Sequence, residues 1–293
     1  KAGNAIHVDG DIQQANGWPV INIEGATIKA KKTEEGVGVA ANGNCTVTIN
    51  KGATISGDTA VEVKAGEVTI DGATLQGSGN YGVPGSGGNG TSSQGYALAV
   101  VADKGYAGGK AYVNAVTIEN KMAVLSDRGA DINSVALMIK EDFASTVLEY
   151  IAEGLALEDA ADEAGYYRVV PFGTEEPVSL EWPAGSQPDE SGELHVTAVK
   201  GEQCTITFTA KPNGYAIVPN VRFVVKVTAN NNAVTTGVSI DGATAAGEDG
   251  HWYLGDAVAL GSSEICEEME ITITFDNEGT YKLEVFAVQE VQE

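Results

Sequence analysis

Four residues could place cation ligands along one line of the molecule. Each closes a short segment of alternating apolar residues: Glu24, Asn50, Asp71 and Glu119. If those segments lie side by side as strands, the four side chains stack about 4.8 Å apart. Carboxylates in such a row repel one another unless a cation lies between them, and Ca²⁺ prefers several oxygen ligands. The pattern predicts a calcium site at Glu24, Asp71 and Glu119. The alternative is that acidic residues and Asn simply suit turns before glycine.

A second set of residues suits the recognition of a sugar or a protein. An outward position of the same segments carries small polar residues: Asn22, Thr48, Thr69 and Thr117. Aromatic residues lie in or near loops and strand ends: Trp18, Tyr81, Tyr106 and Tyr112. We predict a ligand-binding surface that uses Trp18, Thr48, Thr69, Tyr81 and Thr117. The alternative is an ordinary solvated face. Residues 77–95 are too rich in Gly and Ser for a core, so we predict a long loop that leaves the scaffold and presents Tyr81.

Catalytic signals are weak. His7, His195 and His251 are scattered, and no Ser or Cys nucleophile motif lies near them. The best local pairing is Asp127 with Arg128, which we interpret as an exposed ion pair. We therefore expect no enzymatic activity. The alternative is a polysaccharide lyase or glycoside hydrolase with a divergent site, which requires two carboxylates, or a carboxylate and an arginine, converging in a groove.

Charge and hydropathy exclude two classes of partner. The 293 residues include 17 basic and 41 acidic ones, a net charge of −24, which would repel a phosphate backbone rather than attract it. No apolar run reaches the roughly 18 residues that a membrane-spanning helix needs, so we expect no membrane insertion. The acidic, cysteine-poor composition favours a secreted protein. Cys45 is expected to be a buried thiol, and Cys204 could pair with Cys266.

An internal repeat organises the first half of the chain. Residues 20–30 read VINIEGATIKA, residues 47–57 read VTINKGATISG and residues 68–77 read VTIDGATLQG, with a weaker copy at 116–120. A unit this short cannot bury its own apolar face, whereas stacked units bury one continuous core. We predict a right-handed parallel β-helix in which Val47 and Val68 are vertical neighbours. Cys45, Val47 and Ile49 should point inward.

A change of pattern marks the end of the repeat. From Glu141 the apolar spacing becomes helical, and Asp142 could cap a helix that buries Phe143, Val147, Leu148 and Ile151 and ends at Gly154. Residues 155–164 are expected to add a helical turn, and residues 166–170 to return as a strand. This predicts a short helical cap and a first domain at residues 1–172.

These features resemble a known group of proteins. The repeated turns, the YALAV strand after a Gly-rich segment and the ending at residues 142–170 are similar to β-helix regions of adhesin-like surface proteins of gut Gram-positive bacteria, which have a pectate-lyase-like fold. The resemblance covers residues 1–172. It implies a secreted or cell-surface protein, attached through regions outside this sequence, with a non-catalytic binding role toward a glycan or a host or extracellular protein. A purely structural spacer is a further alternative.

The second half lacks the repeat. Strands are predicted at residues 178–182, 194–199, 204–210, 221–229, 234–240, 270–275 and 281–288. Seven short strands with turn residues between them suit an antiparallel, Ig-like β-sandwich at residues 173–293. Residues 276–281 resemble the tyrosine corner of such sandwiches, at Tyr281. An intramolecular Lys–Asn crosslink at Lys211 or Lys226 is a further option.

Overall fold

The structure is a computed structural model that describes residues 3–9, 17–31, 36–87, 90–173, 175–244, 250–261 and 268–289. The fold is all-β, with both parallel and antiparallel pairing. The chain divides into two compact units, Lys1–Pro171 and Phe172–Glu293.

The first unit is built from short strands. In chain order they are β1 (Ile6–Val8), β2 (Val20–Ile23), β3 (Thr27–Lys29), β4 (Val37–Ala41), β5 (Thr46–Asn50), β6 (Thr54–Ser56), β7 (Thr59–Val63), β8 (Ala65–Gln76), β9 (Gly82–Gly87), β10 (Gly90–Gln94), β11 (Leu98–Asp103), β12 (Gly108–Glu119), β13 (Met122–Asp127), β14 (Ala136–Lys140), β15 (Leu155–Asp159) and β16 (Tyr166–Pro171).

Most of these strands pair in parallel with the equivalent strand of the next repeat. One sheet has the order β1-β4-β7-β11-β13, and a second sheet contains the parallel series β2-β5-β8-β12-β14 and β3-β6-β8. Val47 lies opposite Val68, as the repeat predicts, and Ile21 lies opposite Val47. Parallel pairing of repeated segments is therefore confirmed.

Alternation of side chains along each strand places the core. Val47, Ile49, Val68 and Ile70 are fully buried, and Cys45 is 4% exposed, so the predicted inward positions are confirmed. Gly25 and Gly52 follow β2 and β5, and Gly72 lies at the equivalent place within β8; their φ values are 58°, 82° and 82°, a backbone region that glycine adopts without the steric cost of a Cβ. The repeated glycine thus turns the chain at the same place in each repeat.

The end of the first unit differs from the prediction. The expected helix is only a four-residue helix, α1 (Glu141–Ala144), followed by a short 3₁₀ turn at Leu148–Tyr150. Ile151 forms a parallel bridge to Met122, so sheet pairing overrides the helical spacing. The helical turn expected in residues 155–164 is also wrong. Residues 155–159 form β15, which pairs antiparallel with β16, and β16 pairs antiparallel with β14.

The Gly-rich segment is not the predicted loop. Its strands β9 and β10 form an antiparallel hairpin. The end of β10 is fastened to β7, because Glu62 Oε2 accepts hydrogen bonds from the Ser93 N–H (2.5 Å) and hydroxyl (2.9 Å). The Thr59 hydroxyl donates to the Ser93 carbonyl at 2.7 Å. A buried carboxylate therefore holds this segment against the sheet.

The second unit is antiparallel. Its strands are β17 (Val178–Glu181), β18 (Glu193–Ala198), β19 (Gln203–Pro212), β20 (Ile217–Ala229), β21 (Asn232–Ala233), β22 (Val238–Ile240), β23 (Ala243–Thr244), β24 (His251–Gly261), β25 (Glu268–Phe275) and β26 (Gly279–Gln289). Within this unit, β18, β26, β20, β24 and β23 pair in that order, and β17, β19, β25 and β22 form a second sheet.

Each of the seven predicted strands has a counterpart in this unit, whereas β24 and the short β21 and β23 were not predicted. The sequence of β24, HWYLGDAVALG, hides its alternation because Gly255 has φ of 50° and the register to β20 shifts. The rings of Phe208 in β19 and Phe223 in β20 lie 5.5 Å apart and join the two sheets. The Tyr281 hydroxyl donates to the Asn277 carbonyl at 3.2 Å, as in the predicted corner.

Candidate functional site

A single row of side chains crosses the second sheet of the first unit. Cross-strand register places these residues opposite one another on successive strands: Asn22, Thr48, Thr69, Tyr112, Met138, Arg168 and Glu158. We call this set the polar row. Directly paired residues share a face of the sheet and are spaced about 4.8 Å apart, so the row spans about 29 Å.

The polar row ends in a cavity. The cavity has a volume of about 400 Å³, within the usual range for small-ligand sites. Its lining includes Lys110, Met138, Glu158, Glu163 and Arg168. Met138 is 4% exposed and lines the cavity together with residues 158–163. The row thus runs from the exposed Asn22 to a cavity at its other end.

Tyr112 links the open part of the row to the cavity. Its hydroxyl donates to Glu163 Oε1 at 2.8 Å, and its ring lies edge-on to Tyr166 with centroids 5.5 Å apart. Burial, followed by the hydrogen bond to the Glu163 carboxylate, raises the pKa of Tyr112. The Tyr166 hydroxyl donates in turn to Asn114 Oδ1 at 2.6 Å. Both rings are therefore fixed by hydrogen bonds at the cavity's edge.

Arg168 supplies the fixed cationic group of the cavity. Its Nη2 donates to the carbonyls of Asn133 (3.3 Å) and Val135 (3.1 Å), which orient the guanidinium, and its buried Nε makes no hydrogen bond. Lys110 Nζ lies 3.9 Å from Glu163 Oε1 at the exposed rim. With hydroxyls, amides, aromatic edges and both signs of charge, the arrangement can bind a polar ligand through many hydrogen bonds.

The structure brings together only some of the predicted binding residues. Thr48 and Thr69 are neighbours in the polar row. Trp18 is 44% exposed and lies just before β2, the strand that begins the row. Thr117 is misplaced by the prediction, because it pairs with Thr74 rather than with Thr69. Strand β12 contains an irregularity around Ala115, so the copy at 116–120 aligns with the second half of β8.

Tyr81 has a structural role. Its ring packs against Tyr96 with centroids 5.0 Å apart, and its hydroxyl accepts a hydrogen bond from the Lys121 N–H at 3.0 Å. The side chain remains 42% exposed at the base of the hairpin. It lies outside the polar row, so the ligand-binding role predicted for Tyr81 gains no support from the row.

The predicted line of carboxylates is not formed. Asn50 lies opposite Asp71, but Glu119 lies opposite Gln76 and accepts a hydrogen bond from its amide at 2.8 Å. The predicted placement of Glu119 beside Asp71 is therefore wrong. The irregularity around Ala115 that displaces Thr117 displaces Glu119 as well. Glu24 is exposed directly after β2. Calcium binding at Glu24 and Asp71 stays a prediction.

Sequence reasoning missed a buried group of charges on the first sheet. Its members are Glu62, Lys64, Asp103, Asp127 and Arg128, which we call the Asp103 cluster. Lys64 Nζ lies 3.7 Å from Glu62 Oε1 and 3.5 Å from Asp103 Oδ2. Arg128 binds Asp103 Oδ1 and lies 3.5 Å from Asp127 Oδ2. The exposed ion pair expected between Asp127 and Arg128 is thus part of a network, in which the Arg128 side chain is exposed and that of Asp127 is almost buried. The signal in the sequence was a charged pair at an apolar strand, with Glu62 inside β7 and Lys64 directly after it.

Burial and charge act in opposition within the Asp103 cluster. Burial raises the pKa of Glu62, and the opposing effects of Lys64 and Ser93 do not cancel it. For Asp103, burial acts to raise the pKa, but the Gly105 N–H, Arg128 and Lys64 together hold it below its usual value. The Asp103 side chain is fully buried and that of Asp127 is 9% exposed. Two carboxylates and an arginine converge here, in a network that chiefly pairs its own charges.

The remaining sequence predictions concern single side chains. Lys211 and Lys226 form ion pairs with Glu181 (2.5 Å) and Glu284 (3.1 Å), so their ammonium groups bind surface carboxylates. Cys45 and Cys204 are free thiols, and Cys266 lies outside the described residues.

None of the helices in the described ranges is both long and apolar enough to cross a membrane.

In comparisons with known proteins, no protein family, no curated protein and no solved structure matches this chain.

Proposed function

We propose that the chain is a non-catalytic module of a secreted or cell-surface protein that binds a glycan along the polar row. The observation that carries the proposal is the continuity of the row with the cavity. The hydroxyl and amide groups of Asn22, Thr48 and Thr69 lead to Tyr112 and then, past Met138, to Arg168 in the cavity. An extended polymer with regularly spaced hydroxyls suits a row of regularly spaced donors and acceptors.

The proposal includes the architecture. Parallel pairing of each repeat with the next, and the buried glycine-bounded segments, support a right-handed parallel β-helix in the first unit. Two antiparallel sheets and the Tyr281 hydrogen bond support an Ig-like sandwich in the second. The likeness of the sequence to β-helix adhesin-like surface proteins supports the extracellular setting.

A glycan array, followed by calorimetry with the best ligand, tests the proposal. Thr69→Arg places a bulky side chain in the middle of the row and should reduce affinity at least about tenfold through steric exclusion and lost hydrogen bonds. Thr236→Arg is the matched control, since Thr236 is an exposed threonine of the second unit. Equal affinity of both variants, or no glycan binding at all, contradicts the proposal; the second result favours a structural spacer or a protein partner.

A polysaccharide lyase or glycoside hydrolase is the second candidate function, and the Asp103 cluster is the observation that favours it. Carboxylates beside basic side chains are the groups that such reactions use. Burial of Asp103 and Asp127 argues for a structural role instead. Product release from pectin-like or host glycans, abolished by Asp127→Asn, would establish the enzyme and remove the non-catalytic proposal. Absence of turnover across those substrates would support binding alone.

A further inference from the structure

A histidine and two carboxylates lie together on the second unit. Asp189, Glu193 and His195 each offer a ligand atom, and these atoms all lie within 4.8 Å of one another. Among the residues that the structure describes, no other three such side chains meet this condition. In the tetrahedral geometry that zinc adopts, ligand atoms about 2.1 Å from the ion lie about 3.4 Å from one another. Side-chain movements of about 1 Å would therefore let all three bind one ion.

The local structure prepares these ligands. Glu193 and His195 are alternate residues of β18, so their side chains lie on the same face of the strand. Asp189 is fixed by the turn before β18: its Oδ1 accepts hydrogen bonds from the N–H groups of Ser191 (2.9 Å) and Glu193 (3.1 Å) and from the Ser191 hydroxyl (2.6 Å). Its other oxygen, Oδ2, is directed at His195 Nε2, 2.8 Å away.

We propose that Asp189, Glu193 and His195 bind one divalent transition-metal ion of the zinc class. The imidazole nitrogen decides the class of metal, because zinc, nickel and copper bind nitrogen well whereas calcium and magnesium select oxygen ligands. The side chains of Asp189 and His195 are 40% and 51% exposed, so solvent can complete the coordination shell.

Lys282 competes with the metal ion for one ligand. Its ammonium lies 2.7 Å from Glu193 Oε2, so a cation already occupies the carboxylate. The lysine side chain is 35% exposed and flexible, and it can move into solvent when a doubly charged ion binds. Removal of the competing charge by Lys282→Gln should strengthen binding at Glu193. Because the same change also increases general attraction of cations to the acidic surface, loss of His195 is the change that distinguishes a specific site.

Calorimetric titration of the full chain with Zn²⁺ tests the proposal. We expect one ion per chain, with His195→Gln reducing the affinity at least about tenfold, because even supporting residues of metal sites are worth about that much. Lys282→Gln should increase the affinity about twofold to fivefold, the range of one exposed ion pair. A Co²⁺ absorption spectrum that changes on loss of His195 would confirm the nitrogen ligand.

Two matched controls complete the test. Glu190→Gln removes a neighbouring carboxylate outside the set, and His251→Gln removes another imidazole of the same unit; both should leave the Zn²⁺ affinity unchanged. Affinity that is insensitive to His195→Gln, or that falls equally with Glu190→Gln, would overturn the proposal. Displacement of Zn²⁺ by equimolar Ca²⁺ would do so too, since it would show that carboxylates alone attract the ion. Because the site lies on the second unit, these outcomes do not depend on glycan binding.

Discussion

Burial of the Glu62 carboxylate makes the first unit sensitive to pH at one residue. The side chain is 2% exposed and faces a buried ammonium, that of Lys64, together with the Ser93 N–H and hydroxyl. Burial nevertheless raises the pKa of Glu62. A carboxyl whose pKa is higher in the folded than in the unfolded protein favours folding while it is protonated. This contribution is complete below the unfolded pKa, about 4.3, and is lost as the pH rises through the folded pKa.

Glu62→Gln should remove that pH dependence. The amide keeps an oxygen that can accept from Ser93 but does not ionise. We expect the two proteins to have similar free energies of unfolding near pH 4.3 and the wild type to become progressively less stable than the variant at higher pH. Urea unfolding across this pH range measures the difference. If the variant instead becomes the less stable protein at high pH, the ionised carboxylate and Lys64 attract each other strongly enough to offset burial.

Gly66 should resist substitution more than other glycines with the same backbone conformation. Its φ is 75°, and an added Cβ would lie 2.6 Å from the carbonyl oxygens of Cys45 and Gly43. Gly154 has φ of 78° but no atom within 4 Å of such a Cβ. Gly154→Ala should therefore cost only the left-handed backbone penalty, about 1–2 kcal/mol, and Gly66→Ala should cost more. Chemical denaturation of both variants checks this, and equal losses would contradict the steric explanation.

At the scale of elements, the hairpin β9–β10 depends on one serine. Ser93→Ala removes a hydroxyl that donates to Glu62 Oε2 at 2.9 Å and lies 3.3 Å from the hydroxyl of Thr59 on the same strand. Loss of this partner leaves the buried carboxylate with fewer donors, which should cost about 1–3 kcal/mol. We expect faster amide hydrogen exchange in β9 and β10, at residues 82–87 and 90–94. Ser145→Ala, at an exposed serine, is the control. Unchanged exchange in the hairpin would show that its backbone bonds alone hold it.

The repeated strands were predictable because each repeat contains a similar short run of alternating residues followed by a glycine. Val47 and Val68 begin the matching runs VTIN and VTID, which pair position by position, and a glycine follows each run within two residues. The fourth repeat was misaligned, because the irregularity near Ala115 shifts the pairing by changing the local count of residues. A match between the letters VTI at 68–70 and 116–118 cannot reveal such a shift.

The candidate site was predictable only where it belongs to the repeat. Thr48 and Thr69 were found through their shared position, whereas Met138, Arg168 and Glu158 join the polar row through β14, β16 and β15. The last two strands pair antiparallel, and the segment that contains Glu158 has a spacing that also suits a helix. Its conformation is decided by pairing with β16, a long-range contact that local sequence does not encode.

At the scale of the whole molecule, like charges dominate. A chain of 293 residues with a net charge of −24 repels itself in the compact state. Ion pairs such as those of the Asp103 cluster and of Lys282 with Glu193 oppose this repulsion locally. Salt affects the two contributions differently: it screens exposed and distant charges over about 10 Å at 0.1 M, and it screens buried pairs much less.

The melting temperature should therefore rise with salt at pH 7. Between about 0.01 M and about 0.15 M ionic strength, screening weakens the net repulsion among exposed carboxylates, while the buried pairs of Lys64 keep their attraction. Differential scanning calorimetry in sodium chloride measures the change, and sodium sulfate at equal ionic strength separates charge screening from the general stabilising effect of sulfate. If the melting temperature instead falls with sodium chloride, attraction within surface ion pairs outweighs the repulsion that arises from the net charge. Lys282→Gln, which removes one such pair, should then make the fall smaller.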